Sequence, residues 1–268
     1  MTAPSLILVG YGSRDPRVAQ VSHDIRAGVL AIRPELDVHI AFVGEGQPSG
    51  LQVAAKLAKR GVEEAVVVPL LLSDAFHAHA EFPALVAQIA ATTSGLKVTA
   101  SRPVGPEAQL LSVVDRRLRD ALRARRVSEL DGLVFAAVGS TDVRSNAIVT
   151  RRARQWATHH RLPCITAFGA VSGPTAAEAV RTLRSQGRRH VAVGSWFLAP
   201  TPLFVREETA ALAAGAVSVS DPLGAGPELA EVVLSRYVVA AMELVDLESD
   251  AALETEDAPI RHLSVVSA

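Results

Sequence analysis

Val66-Val-Val-Pro-Leu-Leu-Leu-Ser-Asp-Ala-Phe-His-Ala-His-Ala-Glu-Phe-Pro83 decides the fold of this chain. Val66, Val67 and Val68 run straight into Leu70, Leu71 and Leu72. A short, unbroken apolar run of this kind reads as a strand buried on both faces, the signature of a parallel sheet covered by helices. The run stops at Ser73-Asp74, and His77, His79 and Glu81 follow within five residues in what reads as a polar loop. In open α/β sheets ligands sit beyond the carboxyl ends of the strands. Imidazole is the commonest metal ligand, and a carboxylate four positions on can ligate or take a proton. In an extended loop, alternating positions point unevenly, so not all three side chains need converge.

Outward from this stretch, strands alternate with helices. Leu6–Val9 reads as a first strand and Gly10–Pro16 as a turn, and Val18, Val21, Ile25, Val29 and Ile32 recur at helical spacing up to Pro34. Val38–Val43 is a second strand, Leu51–Lys59 a helix closed by Gly61, and a helix is expected from about Pro83 to Thr92. Val98–Ser101 is a fourth strand, followed by Pro103-Val-Gly-Pro106 and a helix to about Arg126.

The pattern then restarts. Leu133–Val138 is a strand, and Gly139-Ser-Thr-Asp142 matches Gly12-Ser-Arg-Asp15. At a constant offset of 126, Ala41-Phe42 pairs with Ala167-Phe168, Pro48 with Pro174, Gly61 with Gly187 and Leu72 with Leu198. Pro222-Leu-Gly-Ala-Gly-Pro-Glu228 matches Pro103-Val-Gly-Pro-Glu107. The chain reads as two copies of one β-α-β-α-β-α-β-α unit. The expected fold is α/β, with two similar parallel-sheet lobes and a cleft between them. The boundaries are placed at residues 1–128 and 129–245, with an acidic, loose tail from 246 to 268 carrying Glu248, Asp250, Glu254, Glu256 and Asp257.

The copies differ at the proposed site. His77 is matched by Leu203 and His79 by Val205, whereas Glu81 is matched by Glu207. Trp196, Phe197, Leu198 and Phe204 make the second copy the apolar one, which suggests chemistry on one side of the cleft and a wall on the other.

Bulk properties narrow the function. Hydrophobic residues make up 49% of 268 residues, but aromatics only 4%, so the core must be aliphatic. With 27 Lys+Arg against 28 Asp+Glu, no basic excess supports a nucleic-acid partner. The single cysteine, Cys164, excludes an internal disulfide and a Cys-rich metal site, and is expected to be a small buried residue at a strand start. The first ten residues read as a strand and not a leader, and no stretch approaches the roughly 18 apolar residues of a membrane span. A cytoplasmic location is expected. Gly10-Tyr-Gly-Ser13 lacks the third glycine of a dinucleotide fingerprint, and no serine lies on a Gly-x-Ser-x-Gly elbow. His23, His39, His159, His160, His190 and His262 have no evident partners by spacing.

Leu8-Val-Gly-Tyr-Gly-Ser-Arg-Asp-Pro16 resembles the Leu-Val-Gly-His-Gly-Ser-Arg-Asp-Pro opening of the sirohydrochlorin chelatases, the class II enzymes that insert cobalt or iron into a modified tetrapyrrole. Val68 through Pro83 is similar to that family's second signature, and Gln47-Pro-Ser49, Val138–Asp142 and Ser195-Trp-Phe-Leu-Ala-Pro200 also fit. The resemblance spans roughly residues 5–240. It implies two α/β lobes around a cleft and metal ligation by two histidines, one from each signature. The second stands here as His77, and the first is Tyr11.

The function so implied is insertion of cobalt or ferrous iron into sirohydrochlorin, toward cobalamin or siroheme. The alternatives are a non-catalytic tetrapyrrole- or metal-binding homologue, and a chelatase for a different metal or tetrapyrrole. The metal is a substrate, Co2+ or Fe2+, and no organic cofactor is implied. His77, Glu81 and Tyr11 are the expected catalytic and metal-binding residues. Gly12, Ser13, Arg14, Ser73, Phe76 and His79 are expected around the substrate, with Arg17 and Glu45 as further candidates at the cleft edge. Tyr11 has three readings: a phenolate ligand, a phenol hydrogen-bonded to a substrate carboxylate or metal-bound water, or a space-filler in an inactive homologue. Two fused copies in one chain make a monomer the expected state.

Overall fold

The computed structural model describes residues 3–73, 76–171 and 173–256, with side chains described for 3–73, 81–171 and 173–244. The first half runs β1 (Ser5–Gly12), α1 (Pro16–Ile32), β2 (Val38–Gly44), α2 (Gly50–Lys59), β3 (Glu64–Pro69), α3 (Phe76–Thr92), β4 (Lys97–Ala100) and α4 (Leu111–Ala124). The second runs β5 (Gly132–Ala137), α5 (Val143–His160), β6 (Cys164–Phe168), α6 (Ala176–Ser185), β7 (Val191–Trp196), α7 (Pro202–Ala213), β8 (Ser218–Val219) and α8 (Pro227–Glu256). Each half forms a four-stranded parallel sheet, in the orders β2-β1-β3-β4 and β6-β5-β7-β8. The α/β class and the duplication expected from the sequence are what the chain adopts.

The repeat extends to individual hydrogen bonds. Ser49 and Gln52 form a capping box on α2, and Thr175 and Glu178, at the offset of 126, form one on α6. The Phe42 N–H donates to the Pro48 carbonyl and the Phe168 N–H to the Pro174 carbonyl, both at 2.9 Å. Asp15 caps α1 and Asp142 caps α5, each accepting from the backbone N–H two residues on at 2.9 Å. Gly61 and Gly187 follow α2 and α6 with φ of 77° and 89°, a conformation that a side chain resists.

Val66, Val67 and Val68 on β3 are fully buried, as the apolar run predicts. Each such valine contributes roughly 1.5–2 kcal/mol of burial free energy. The strand ends earlier than expected, at Pro69, and Leu70–Ser73 continues as irregular chain.

Three elements depart from the sequence reading. The segment read as an extended loop is the start of α3, which begins at Phe76 and not near Pro83. Proline is favoured at the first helical position because its missing N–H is not needed there, and that preference misplaces the boundary. Ala78, Ala80 and Glu81 are strong helix formers, and they carry the helix through Pro83. The acidic stretch from 246 continues α8 as helical backbone to Glu256, consistent with its alanine, leucine and glutamate content. The fourth helix of each half packs away from its own sheet: α4 lies on β7 and β8, and α8 lies against α1, β3 and β4. Arg116 pairs with Glu228 at 2.5 Å, and Arg236 pairs with Glu107 and donates to the Pro103 carbonyl at 2.8 Å, fastening the crossing. One apolar core therefore runs through both halves, joining Leu6, Leu8 and Val66 to Phe135, Trp196, Val233 and Tyr237. Cys164 opens β6, partly buried, and burial pushes its thiol up to about 12, which keeps it protonated and unreactive.

Candidate active site

The carboxyl ends of β1, β3, β5 and β7 face one another across a cavity of about 200 Å3. Its walls include Gly10, Tyr11, Leu72 and Ser73 from the first half and Val138, Gly139, Asn146, Trp196 and Leu198 from the second. Tyr11, Ser22 and Ser73 line it from the first lobe, and Asn146 and Thr201 join Trp196, Phe197 and Leu198 from the second, so polar residues come from both sides and the second lobe is not a purely apolar wall.

Tyr11 lies near the end of β1, 37% exposed. Its hydroxyl donates to the Glu81 carboxylate, which α3 brings to the same edge of the cavity. Burial, the hydrogen bond to Glu81 and the Glu81 charge all raise the Tyr11 pKa well above its ordinary value near 10. The phenol is therefore neutral over the physiological range. Tyr237, the other tyrosine, is also raised, chiefly by burial, and donates to the Pro4 carbonyl at 2.7 Å. A pH titration of native protein should show no phenolate absorbance at the ordinary midpoint near 10. Because the folded-state values lie above those of the unfolded chain, their stabilising contribution is complete below pH 10 and is lost as pH rises through the folded values. Phenolate growth with a midpoint of 10 in folded protein would contradict the Tyr11–Glu81 pair.

The helical backbone of α3 sets positions 77 and 81 one turn apart. The side chains of His77, His79 and Phe76 lie outside the described residues. Glu207, the counterpart of Glu81, is buried at 5% exposure and accepts the Ala176 N–H at 3.0 Å, capping α6. One carboxylate of the duplicated pair has thus become a helix cap, while the other meets a phenol at the cavity.

The turn after β1 is built by close backbone contact. A Cβ on Gly12 would lie 2.0 Å from the Gly46 nitrogen, so only glycine fits. Ser13 is used within the turn, its hydroxyl accepting the Asp15 N–H at 3.1 Å. Arg14 pairs with Glu45 at 3.0 Å on the exposed rim, and Arg17 pairs with Asp15 at 2.6 Å. These two arginines and Glu45 lie outside the cavity lining. In the second half, the Asn146 amide clamps the equivalent turn, accepting the Ser140 N–H at 2.8 Å and donating to the Ser140 carbonyl at 2.6 Å. Asn146 was missed in the sequence. Its signal is the asymmetry with Ala19, which stands at the equivalent place in copy one.

Four of the histidines without evident partners in the sequence gain one here: His39 lies 2.8 Å from Asp37 and His190 3.7 Å from Glu129, and the other two meet at α5. His160 Nε2 approaches Asp115 Oδ1 to 2.6 Å, out of line for a hydrogen bond, and the ring of His159 lies against that of His160. Asp115 comes from α4 and both histidines from α5, some 45 residues apart, so spacing carries no trace of the contact.

The CbiX family model matches this chain twice, over residues 5–121 and 132–240. The chain belongs to the CbiX family. The double match is the internal repeat seen independently. Sirohydrochlorin cobaltochelatase of Priestia megaterium is 24% identical over 212 residues, covering 76% of this chain and 67% of that protein. Sirohydrochlorin ferrochelatase of Bacillus subtilis is 25% identical over 116 residues, covering 43% and 44%. The solved structure of SirB from Bacillus subtilis with Fe3+ superposes with a TM-score of 0.71 at 21% identity, covering 90% of this chain and 96% of that one. The structural likeness supports the fold of this CbiX protein: two lobes, parallel sheets and a cleft between them. No helix among the described residues is long and apolar enough to cross a membrane.

Proposed function

We propose that this CbiX protein inserts cobalt or ferrous iron into sirohydrochlorin. The observation that carries the reading is the Tyr11–Glu81 pair at the mouth of the inter-lobe cavity. Chelation breaks two pyrrole N–H bonds, forms metal–nitrogen bonds and releases two protons without redox change. It needs a metal held loosely, a proton acceptor beside it and a surface for the macrocycle. Glu81 is the acceptor in this reading: it takes the first pyrrole proton, passes it to solvent, and is free to take the second within the same turnover. Tyr11, neutral because burial and Glu81 both oppose its ionisation, orients that carboxylate and can turn its hydroxyl toward a metal-bound water. These causes also weigh against a phenolate ligand in the metal-free protein. His77 is assigned as the metal ligand from its place in the second signature, one helical turn before Glu81.

The cavity is smaller than the several hundred Å3 that enclose a drug-sized ligand, so the macrocycle lies across the mouth with the metal reached from below. Gly12 and Ser13 form the turn next to Tyr11, outside the lining, and Ser73 stands in the lining itself. The working unit in this reading is a cytoplasmic monomer of two halves, 1–128 and 129–245, without an organic cofactor. One observation favours a second reading: Tyr11 stands where the chelatase signature has histidine, as expected of a homologue that binds a tetrapyrrole without turning it over.

Anaerobic incubation with sirohydrochlorin and excess cobalt or ferrous iron, followed in the visible spectrum, separates the two. Multiple turnovers above the protein-free rate, lost in His77→Ala, are expected. A spectral change that stops at one equivalent would replace the chelatase by a binding protein.

A further inference from the structure

The duplication is broken at the exits of β3 and β7, and the break links the two lobes. In the second half, the Leu223 N–H donates to the Phe197 carbonyl at 2.8 Å and the Gly224 N–H to the Leu198 carbonyl at 3.0 Å. Phe197 and Leu198 are the counterparts of Leu71 and Leu72, and Leu223-Gly224 of Val104-Gly105. In the first half, the register is shifted. The Val104 N–H reaches back to the Pro69 carbonyl at 3.2 Å, and the Gly105 N–H takes the Leu71 carbonyl at 2.8 Å. The Leu72 carbonyl thereby loses the backbone donor that its counterpart keeps. Among the described residues, it accepts instead from the Trp196 indole Nε1–H of the other lobe, at 3.0 Å.

Trp196 is held firmly enough to act as a fixed point. It ends β7, is 1% exposed, and packs on Phe135 at a ring separation of 5.4 Å. Its own counterpart is Leu70, which has no donor to offer in return, so the link runs one way. The segment it grips is confined from other sides as well. The Leu70 N–H donates to the Val9 carbonyl at 2.8 Å, and Gly105 lies so close that a Cβ there would sit 2.5 Å from the Leu72 Cα. Leu72 and Ser73 line the cavity, and α3 opens at Phe76 with position 77 and Glu81 in its first turns.

We infer that Trp196 is a positioning residue: its indole N–H fixes the Leu72 carbonyl, four residues before α3 begins, and so sets where that helix and its Glu81 stand at the cavity. The inference rests on the chelatase reading for its kinetic consequence, but not for its effect on a bound metal. An isolated hydrogen bond of this kind stabilises by about 0.5–1.5 kcal/mol, a factor of roughly two to tenfold in an equilibrium.

The test replaces Trp196 by 3-benzothienylalanine, which keeps the ring shape and removes the N–H, with Trp196→Phe beside it. Phe135→Leu disturbs the same packing and leaves the donor in place. Steady-state constants are read separately for metal and macrocycle, and the visible ligand-field bands of bound Co2+ are recorded without macrocycle. The benzothienyl protein should raise KM for the metal by about three- to tenfold, leave KM for the macrocycle near wild type, and shift the cobalt bands. Phe135→Leu should lower thermal stability with the bands unmoved. Wild-type metal kinetics and bands in the benzothienyl protein, or the same band shift in Phe135→Leu, overturns the assignment. A band shift in a protein whose wild type does not turn over would sink the chelatase reading and leave the positioning role standing.

Discussion

Glu81→Gln is expected to lower kcat by about a hundredfold to ten-thousandfold, the range that a positioned proton acceptor contributes. The substitution preserves the size of the side chain, and the amide oxygen can still accept the Tyr11 hydroxyl, so the geometry of the pair is kept while its basicity is removed. KM for the macrocycle should change only a few-fold. Tyr11→Phe gives the contrast: it removes a donor that holds the carboxylate and should cost no more than about tenfold. Single-turnover measurements with metal and macrocycle preloaded read the chemical step directly. A Glu81→Gln rate within a few-fold of wild type would mean that the pyrrole protons leave by another route.

Gly12→Ala is expected to destabilise the fold by about 3 kcal/mol, the upper part of the usual range for overpacking. The added carbon would meet the Gly46 nitrogen at 2.0 Å and its Cα at 2.4 Å. Both are backbone atoms, so no side chain can rotate away, and the β1 and β2 exits must separate. Tyr11 is the adjacent residue, so the cavity edge moves with them. Urea unfolding should show a lower midpoint with an unchanged slope, the mark of lost stability without a change in surface exposed. Gly28→Ala is the control of opposite sign. It lies within α1, where the added carbon would make an ordinary 3.4 Å contact with Ala230 and where alanine is favoured over glycine by up to about 1 kcal/mol. A Gly12→Ala midpoint equal to wild type would show that the turn relaxes freely.

Much of the architecture was legible because parallel sheets write simple patterns. Val66–Val68 reads as a strand buried on both faces, and offset pairs such as Phe42 with Phe168 and Gly61 with Gly187 mark the same structural events twice. The start of α3 was also written in the chain, but in the wrong copy. Thr201 caps α7 and Pro202 is its first residue, and the offset of 126 carries that boundary back to Phe76. Reading each copy alone let Pro83 pose as a helix start.

The chain by itself determined the two copies, the strands, the glycine that closes α2 and the signature that carries His77 and Glu81. All of these depend on neighbours within a few residues or on a repeated spacing. Only the tertiary structure decided that α4 and α8 exchange sheets, that Tyr11 meets Glu81, that Asp115 lies beside His160, and that the Trp196 indole takes the Leu72 carbonyl. These contacts join residues 45 to 124 positions apart or more. They follow from how two sheets share one core, and no local propensity or period records that choice.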